Sequence, residues 1–302
     1  MQSFTAPFTF VLLFLVLGGP AALADGIIAP GAKLETLSTD FKFSEGPASD
    51  AEGNVYFTDQ PNDRIMKWTI DGKFETFMQP SGRSNGLCFD SKGNLIACAD
   101  EKNELWSIDV KTKQVTVLVK AYNGKLLNAP NDVWVRPDGG LFFTDPWYKR
   151  DYWKRGPQEQ DGHHVYFLSP DHKTLSRVTQ DLKQPNGIIG TPDGKMLYVS
   201  DLDAHKTYSY RINNDGSLAD KKLFCEAGSD GMTIDDEGNV YITNSNGVTV
   251  FDKTGKQIEN IKIAEPWTGN VCFGRKDMHT LFITASKGVY AMKMRVKGAG
   301  SQ

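Results

Sequence analysis

Apolar residues run along this chain in short pairs, and the pairing repeats. Six phrases carry it: SEGPASDAEGNVYFTD, SNGLCFDSKGNLIACAD, PNDVWVRPDGGLFFTD, PNGIIGTPDGKMLYVSD, SDGMTIDDEGNVYITN and GNVCFGRKDMHTLFITA. Each opens on a polar residue, crosses a short apolar strand, turns, and returns through a second apolar strand. The turn usually holds Asp-x-x-Gly or Pro-Asp-Gly, residues that accept the tight backbone a two-strand turn needs. A more amphipathic stretch follows each pair and also reads as two strands, as in RIMKWTIDGKFETFM, ELWSIDVKTKQVTVLV and TYSYRINNDGSLADKKLF. Four strands per unit, recurring at this interval, is the signature of a β-propeller. The pattern therefore predicts an all-β fold, a six-bladed β-propeller with four antiparallel strands per blade. The sixth unit ends one strand short, at GVYAMKMRV. The stretch AKLETLSTDFKF, residues 32 to 43, is placed to supply the missing outer strand. A ring closed by this N-terminal strand leaves no exposed edge between first and last blades. Two packed β-sandwiches would not require so regular a repeat.

The repeat changes the meaning of its leading polar residues, Glu45, Asn85, Asn131, Asn186, Asp230 and Asn270, which are spaced 40, 46, 55, 44 and 40 apart. Taken singly, an Asn-Gly such as Asn186-Gly187 is turn punctuation. In a propeller, however, the first strand of each blade lines the central channel, so six such residues meet at one mouth. All six side chains offer oxygen and two are acidic. That donor set suits a hard divalent cation, Ca²⁺ first, with Mg²⁺, Mn²⁺ and Zn²⁺ as alternatives. The ring holds no His or Cys, which argues against a zinc preference. Glu45 and Asp230 supply two negative charges, matching one divalent ion, and Asn131 and Asn186 would add neutral carbonyl oxygens. Four protein ligands leave coordination positions for water and a substrate oxygen.

A second set of polar residues closes the second strands: Asp59, Asp100, Asp145, Asp201 and Asn244, with Ala285 in the sixth place. Asp145 and Asp201 are candidates for orienting the first ring by hydrogen bonding, as outer partners orient metal ligands. The third unit is the longest. Its surplus, PWYKRDYWKRGPQEQDG at residues 146 to 162, joins the second and third strands and so lies at the same mouth. Long loops on rigid scaffolds shape binding sites. This aromatic and basic loop reads as a lid or substrate wall.

Composition adds little to the fold and more to the setting. The chain has 302 residues and a net charge of -3, which implies no general attraction to nucleic acid. The run FTFVLLFLVLGG followed by AALADG reads as a signal peptide, residues 1–24, cut after Ala24. The run is short for a membrane span. Residues 25–302 are then one propeller domain, exported to a periplasm or to the medium, with no membrane association after cleavage. Four cysteines, Cys88, Cys98, Cys225 and Cys272, show no metal spacing and read as buried thiols. The turn at SKG would not set Cys88 opposite Cys98, so no bridge is expected there. The sequence carries no signal for an oligomeric state.

With these positions in hand, EGP at 45–47, PNDV at 130–133, FTDPWY at 143–148, QPNG at 184–187, LYVSD at 197–201 and SDGM at 229–232 resemble the gluconolactonase / senescence marker protein / luciferin-regenerating enzyme family. The match covers nearly all of residues 35 to 295, and the bacterial gluconolactonase-like branch looks most similar. The resemblance implies a propeller with a divalent metal, usually Ca²⁺, on Glu45, Asn131, Asn186 and Asp230. It also implies that Asp230 acts as general base or nucleophile. Two positions depart from the family. Ala129 stands where animal sugar lactonases carry Arg, so gluconolactone itself is not assured as substrate. Thr233 stands where relatives that hydrolyse organophosphates carry an Asp for a second metal, so one ion is expected.

The reading is a metal-dependent hydrolase that opens a lactone or related cyclic ester. Asp230 is catalytic in it, Asn85 and Asn270 bind substrate hydroxyls, and Trp147 and Tyr148 pack against the substrate. The alternatives are phosphotriester hydrolysis at the same site, or a non-catalytic propeller that binds a sugar or a protein.

Overall fold

The computed structural model describes residues 1–2 and 26–300, so nearly all of the expected leader, and its cleavage point, lies outside the described residues. Six four-stranded antiparallel sheets form a six-bladed β-propeller. Blade one is Ser44–Ser49, Val55–Asp59, Arg64–Trp68 and Phe74–Met78; blade two is Ser84–Phe89, Leu95–Ala99, Glu104–Ile108 and Val115–Val119. Blade three is Val133–Val135, Leu141–Asp145, His164–Leu168 and Leu175–Thr179, and blade four is Pro185–Gly190, Met196–Asp201, Lys206–Ile212 and Leu218–Cys225. Blade five is Met232–Ile234, Val240–Asn244, Gly247–Phe251 and Gln257–Ile261. Blade six takes Asn270–Gly274, Thr280–Ala285 and Gly288–Lys293, and its outer strand is Glu35–Ser38, paired with the strand Gly288–Lys293. The first strands touch in ring order and the first also touches the sixth, so the ring closes.

The core explains why the second strands are apolar without alternation. A propeller blade is covered on both faces by its neighbours, and a strand buried on both faces reads as a continuous apolar run. Ile96 and Cys98 pack toward blade three, while Leu95, Ala97 and Ala99 of the same strand pack toward blade one. Six apolar clusters fill the six wedges between blades. The closing wedge joins Phe57 and Trp68 of blade one to Phe282 of blade six, with Phe41 from the entering segment. Outer strands are only partly buried because they form the edge of each sheet that meets solvent, as in Val115–Val119, where Val119 alone is buried.

Cys88 faces Ile96 across its hairpin, and all four cysteines are free thiols. Cys98 and Cys225 are buried as expected, whereas Cys88 and Cys272 line the central channel. No described helix is long and apolar enough to cross a membrane.

Candidate active site

The register places each leading residue at the start of an inner strand, next to the chain entering from the previous blade. Glu45, Asn85, Asn131, Asn186 and Asn270 are buried, and Asp230 is partly exposed as a residue while its carboxyl is shielded from solvent. Glu45 and Asp230, far apart in sequence, are brought close enough for each carboxyl to bear on the other's protonation. Burial pushes the Glu45 carboxyl well above the usual range, and the charges of Asp230 and Asp132 push the same way. Burial also raises Asp230, while the indole of Trp267, the amide of Asn186 and the charge of Arg150 pull it back. Two buried carboxylates this close need a proton or a cation between them.

The ring is drawn tight by glycines. At four of the six positions the next residue is glycine: Gly46, Gly86, Gly187 and Gly231. A Cβ on Gly86 would stand 2.4 Å from an Asp132 oxygen, and one on Gly231 would stand 1.9 Å from the Asn270 amide carbon. Bare backbone at these places therefore lets neighbouring inner strands close in and bring their side chains together. In blade three the glycine is replaced by Asp132, whose carboxylate turns into the channel. Its oxygens accept the backbone N–H of Val133 at 3.0 Å and of Ile188 at 3.3 Å, and burial pushes its carboxyl up to about 7.

Sequence reasoning missed Asp132. The break in a run of ring-residue-plus-glycine pairs, visible in PNDV, is the signal that marks it. It missed Trp267 too, whose indole N–H donates to Asp230 Oδ2 at 2.5 Å. Only the approach of the fold, not a motif, brings that residue to the ring.

The residues closing the second strands act on the backbone that leads into the ring. Asp145 accepts the N–H groups of Asn128 and Ala129, each at 2.9 Å, and Asp201 accepts those of Lys183 and Gln184, each at 2.9 Å. Asp59 does the same for Lys42 at 3.0 Å and Phe43 at 3.4 Å. In all three blades the held residues stand three and two places before the ring residue. Asp145 and Asp201 thus orient Asn131 and Asn186 through the main chain, not through their amides. A Thr just before the residue that closes the second strand adds a further hold, as where Thr144 Oγ1 accepts the Asp132 N–H at 3.1 Å and Thr243 Oγ1 the Gly231 N–H at 2.9 Å.

Of the expected substrate contacts, Tyr148 reaches the ring: its hydroxyl accepts from Asn186 Nδ2 at 2.7 Å. Trp147 stacks within the loop, 5.0 Å from the Trp153 ring centroid, with the Arg155 guanidinium 4.8 Å above it. Asn270 is engaged by protein: its Oδ1 accepts the Val271 N–H at 2.8 Å, and its side chain lies near enough to Glu45 and Asp132 to draw both carboxyls downward. Asn85 accepts Thr58 Oγ1 on its carbonyl at 3.1 Å, which anchors its backbone to blade one. His164, just after the loop, is buried and paired with Asp161 at 2.9 Å, away from the ring residues.

The residues present fit a hard cation. Asn186 donates its amide N–H to Tyr148, which leaves Oδ1 buried with no hydrogen-bond partner. An orphaned carbonyl oxygen beside two carboxylates is a ligand set in waiting. Among the described residues no three His, Cys, Asp or Glu side chains converge, so a site here relies on two carboxylates completed by amide oxygens.

Residues 43–287 match the model of the SMP-30/Gluconolactonase/LRE-like region. The chain belongs to that family. A gluconolactonase of Zymomonas mobilis is 30% identical, over 91% of this chain and 85% of its own. The structure of a gluconolactonase of Xanthomonas campestris superposes with a TM-score of 0.83 at 30% identity, covering 89% of this chain and 91% of that one. A regucalcin from Agrobacterium tumefaciens, described as a calcium-binding protein, shares the fold with a TM-score of 0.75 at 18% identity, covering 88% and 95%. Membership matches the sequence resemblance, and the family's relatives support lactone hydrolysis.

Proposed function

We propose that the protein hydrolyses a lactone at the channel mouth, in a cation-dependent reaction with Asp230 as the general base. The observation that carries the reading is the buried, unpartnered Asn186 oxygen on a ring that also holds the neighbouring Glu45 and Asp230 carboxyls. Lactonase relatives supply the reaction class, and the calcium-binding regucalcin supports Ca²⁺ over Mg²⁺, Mn²⁺ or Zn²⁺. Glu45, Asn131, Asn186 and Asp230 would hold the ion, which supplies polarisation of the lactone carbonyl when bound.

The chain's own groups do the rest. Trp267 fixes one Asp230 oxygen, so the other faces the ring and takes a proton from the attacking water. Water adds to the carbonyl carbon, the ring C–O bond breaks, and the proton ends on the released alkoxide to give a hydroxy acid. Asn270 favours the ionised form of Glu45 through its amide. Tyr148 covers Asn186 and narrows the mouth on the blade-three side, and Asn85 is left to meet substrate hydroxyls. The same reading includes export, with residues 1–24 as the leader.

Asp230→Asn tests it. Purified variant and wild type are assayed on a panel of sugar and aliphatic lactones and a phosphotriester, with chelator or added cation. The expected result is lactone turnover that chelation abolishes, and a loss of about 100-fold or more in kcat for the variant, typical of a removed general base. A variant with full activity and normal metal content would sink the role of Asp230. Preference for the phosphotriester would reassign the substrate.

A further inference from the structure

Blade two breaks the pattern by which the other blades hold their ring residues. Its second strand ends in Ala99-Asp100, with Ala99 where blades one, three, five and six carry Thr. Asp100 does not hold the backbone leading to Asn85. That work passes to Asp63, whose Oδ1 accepts the N–H of Ser81 at 3.0 Å and of Arg83 at 2.7 Å. Asp100 is nevertheless 2% exposed. A buried carboxylate freed from its ordinary partners must be satisfied by others.

Those partners come from the loop 146–162 of blade three. Trp153 Nε1 donates to Asp100 Oδ1 at 2.5 Å and Tyr152 Oη at 3.2 Å, while Arg150 Nε lies 3.5 Å from Oδ2. Gln60 Nε2 adds a contact at 3.4 Å from blade one. The grip is widened by stacking: the Arg83 guanidinium lies 4.4 Å from the Tyr152 centroid, and that of Arg155 lies 3.5 Å from Trp153. Partly desolvated cation–π pairs of this kind add to the hold. The same short segment carries Tyr148 against Asn186, and the Arg150 charge acts on Asp230.

We infer that Asp100 is a positioning residue that clasps the loop over the mouth, setting Tyr148 and Arg150 at the ring and thereby the grip on substrate. The inference rests on the ring being the lactone site. Its mechanical half stands independently of that.

The loop offers trypsin Lys149, Arg150, Lys154 and Arg155, which makes closure measurable without substrate. Under native conditions Asp100→Ala should be cut within residues 149–155 about tenfold faster than wild type or more, since cleavage follows the opened population. Its KM for the best lactone should rise roughly 5–20-fold with kcat changed less than about threefold, the split expected when binding contacts are lost and the chemistry is kept. Asp100→Asn keeps an acceptor for Trp153 and Tyr152 and should restore most of the protection. A folded Asp100→Ala cut at the wild-type rate overturns the clasp, and an opened loop with unchanged KM overturns its role at the site. If Asp100→Ala does not fold, the double variant Tyr152→Phe/Trp153→Phe, with Asp100 intact, is read the same way. A wild type that hydrolyses no lactone removes the functional reading, while proteolysis still decides the clasp.

Discussion

Glu45→Gln should make the cation-free protein more stable while removing its response to the cation. Gln keeps an acceptor for the Gly46 N–H but removes one of two neighbouring buried carboxylates. Two unit charges about 4 Å apart repel by about 4 kcal/mol at an effective dielectric of 20. The cation-free protein escapes part of this by keeping a proton on the pair, so about 1–3 kcal/mol remains to be relieved. For a domain of this size each kcal/mol moves Tm by roughly 2–4 °C, so in chelator the variant should melt roughly 2–12 °C above wild type. Ca²⁺ at a thousand times its Kd should raise wild type by about 4.1 kcal/mol and the variant by almost nothing. The two proteins should therefore change order on addition of Ca²⁺, as read by calorimetry or by near-ultraviolet dichroism on heating at pH 8. A variant that melts below wild type in chelator and still shifts with Ca²⁺ would refute the reasoning, because neither repulsion nor shared ligation would then describe the pair.

Two further outcomes are expected. Glu45 and Asp230 are both raised by burial, so at low pH the pair holds protons and the cation must displace them. Cation affinity should therefore rise with pH, by up to about tenfold per unit where one proton leaves, with proton release on binding seen by calorimetry in buffers of different ionisation enthalpy; a flat Kd from pH 5 to 8 contradicts the shared-proton pair. Burial pushes the Cys88 thiol up to about 12 from the 9.0 of an open cysteine. At pH 8 that lowers the thiolate fraction roughly a thousandfold, so a chromogenic disulfide should label Cys88 slowly in the native protein, and four thiols at once after denaturation; fast native labelling of Cys88 would show the channel open to reagent.

The fold was legible because its physics is written six times. A strand covered by neighbours on both faces must be apolar throughout, and VYFTD, LIACA, LFFTD, MLYVSD, VYITN and LFITA each satisfy that rule at the same place in the unit. Closure by Glu35–Ser38 followed from counting strands, since blade six lacks one of its own. Ring membership followed from register. What a repeat cannot show is where a unit does something different. Asp132 and Asp100 occupy positions whose counterparts are a spacer glycine and a backbone cap, and their roles appear only when a neighbouring strand or loop supplies new partners. Trp267 precedes its inner strand outside any repeated phrase, so no alignment of units would single it out.

Asp132, Asp100 and the loop that Asp100 holds gather on the blade-two and blade-three side of the mouth, which has a consequence for how specificity can change. The ring oxygens are held by strand backbones pinned at several points, so the ring is rigid. Tyr148 and Arg150 are held by side-chain contacts to one buried carboxylate and by stacking on the part-buried guanidinium groups of Arg83 and Arg155. Such contacts can be rebuilt without disturbing any blade, because the loop is an insertion between two strands whose ladder, from Leu141↔Leu168 to Asp145↔His164, is complete without it. Ala129, whose N–H is held by Asp145 and whose side chain is a methyl, offers no charge of its own toward a substrate. The cation near Asp230 therefore comes from the loop. A substitution in the loop should change which lactone is accepted, while one in the ring should change whether any is opened.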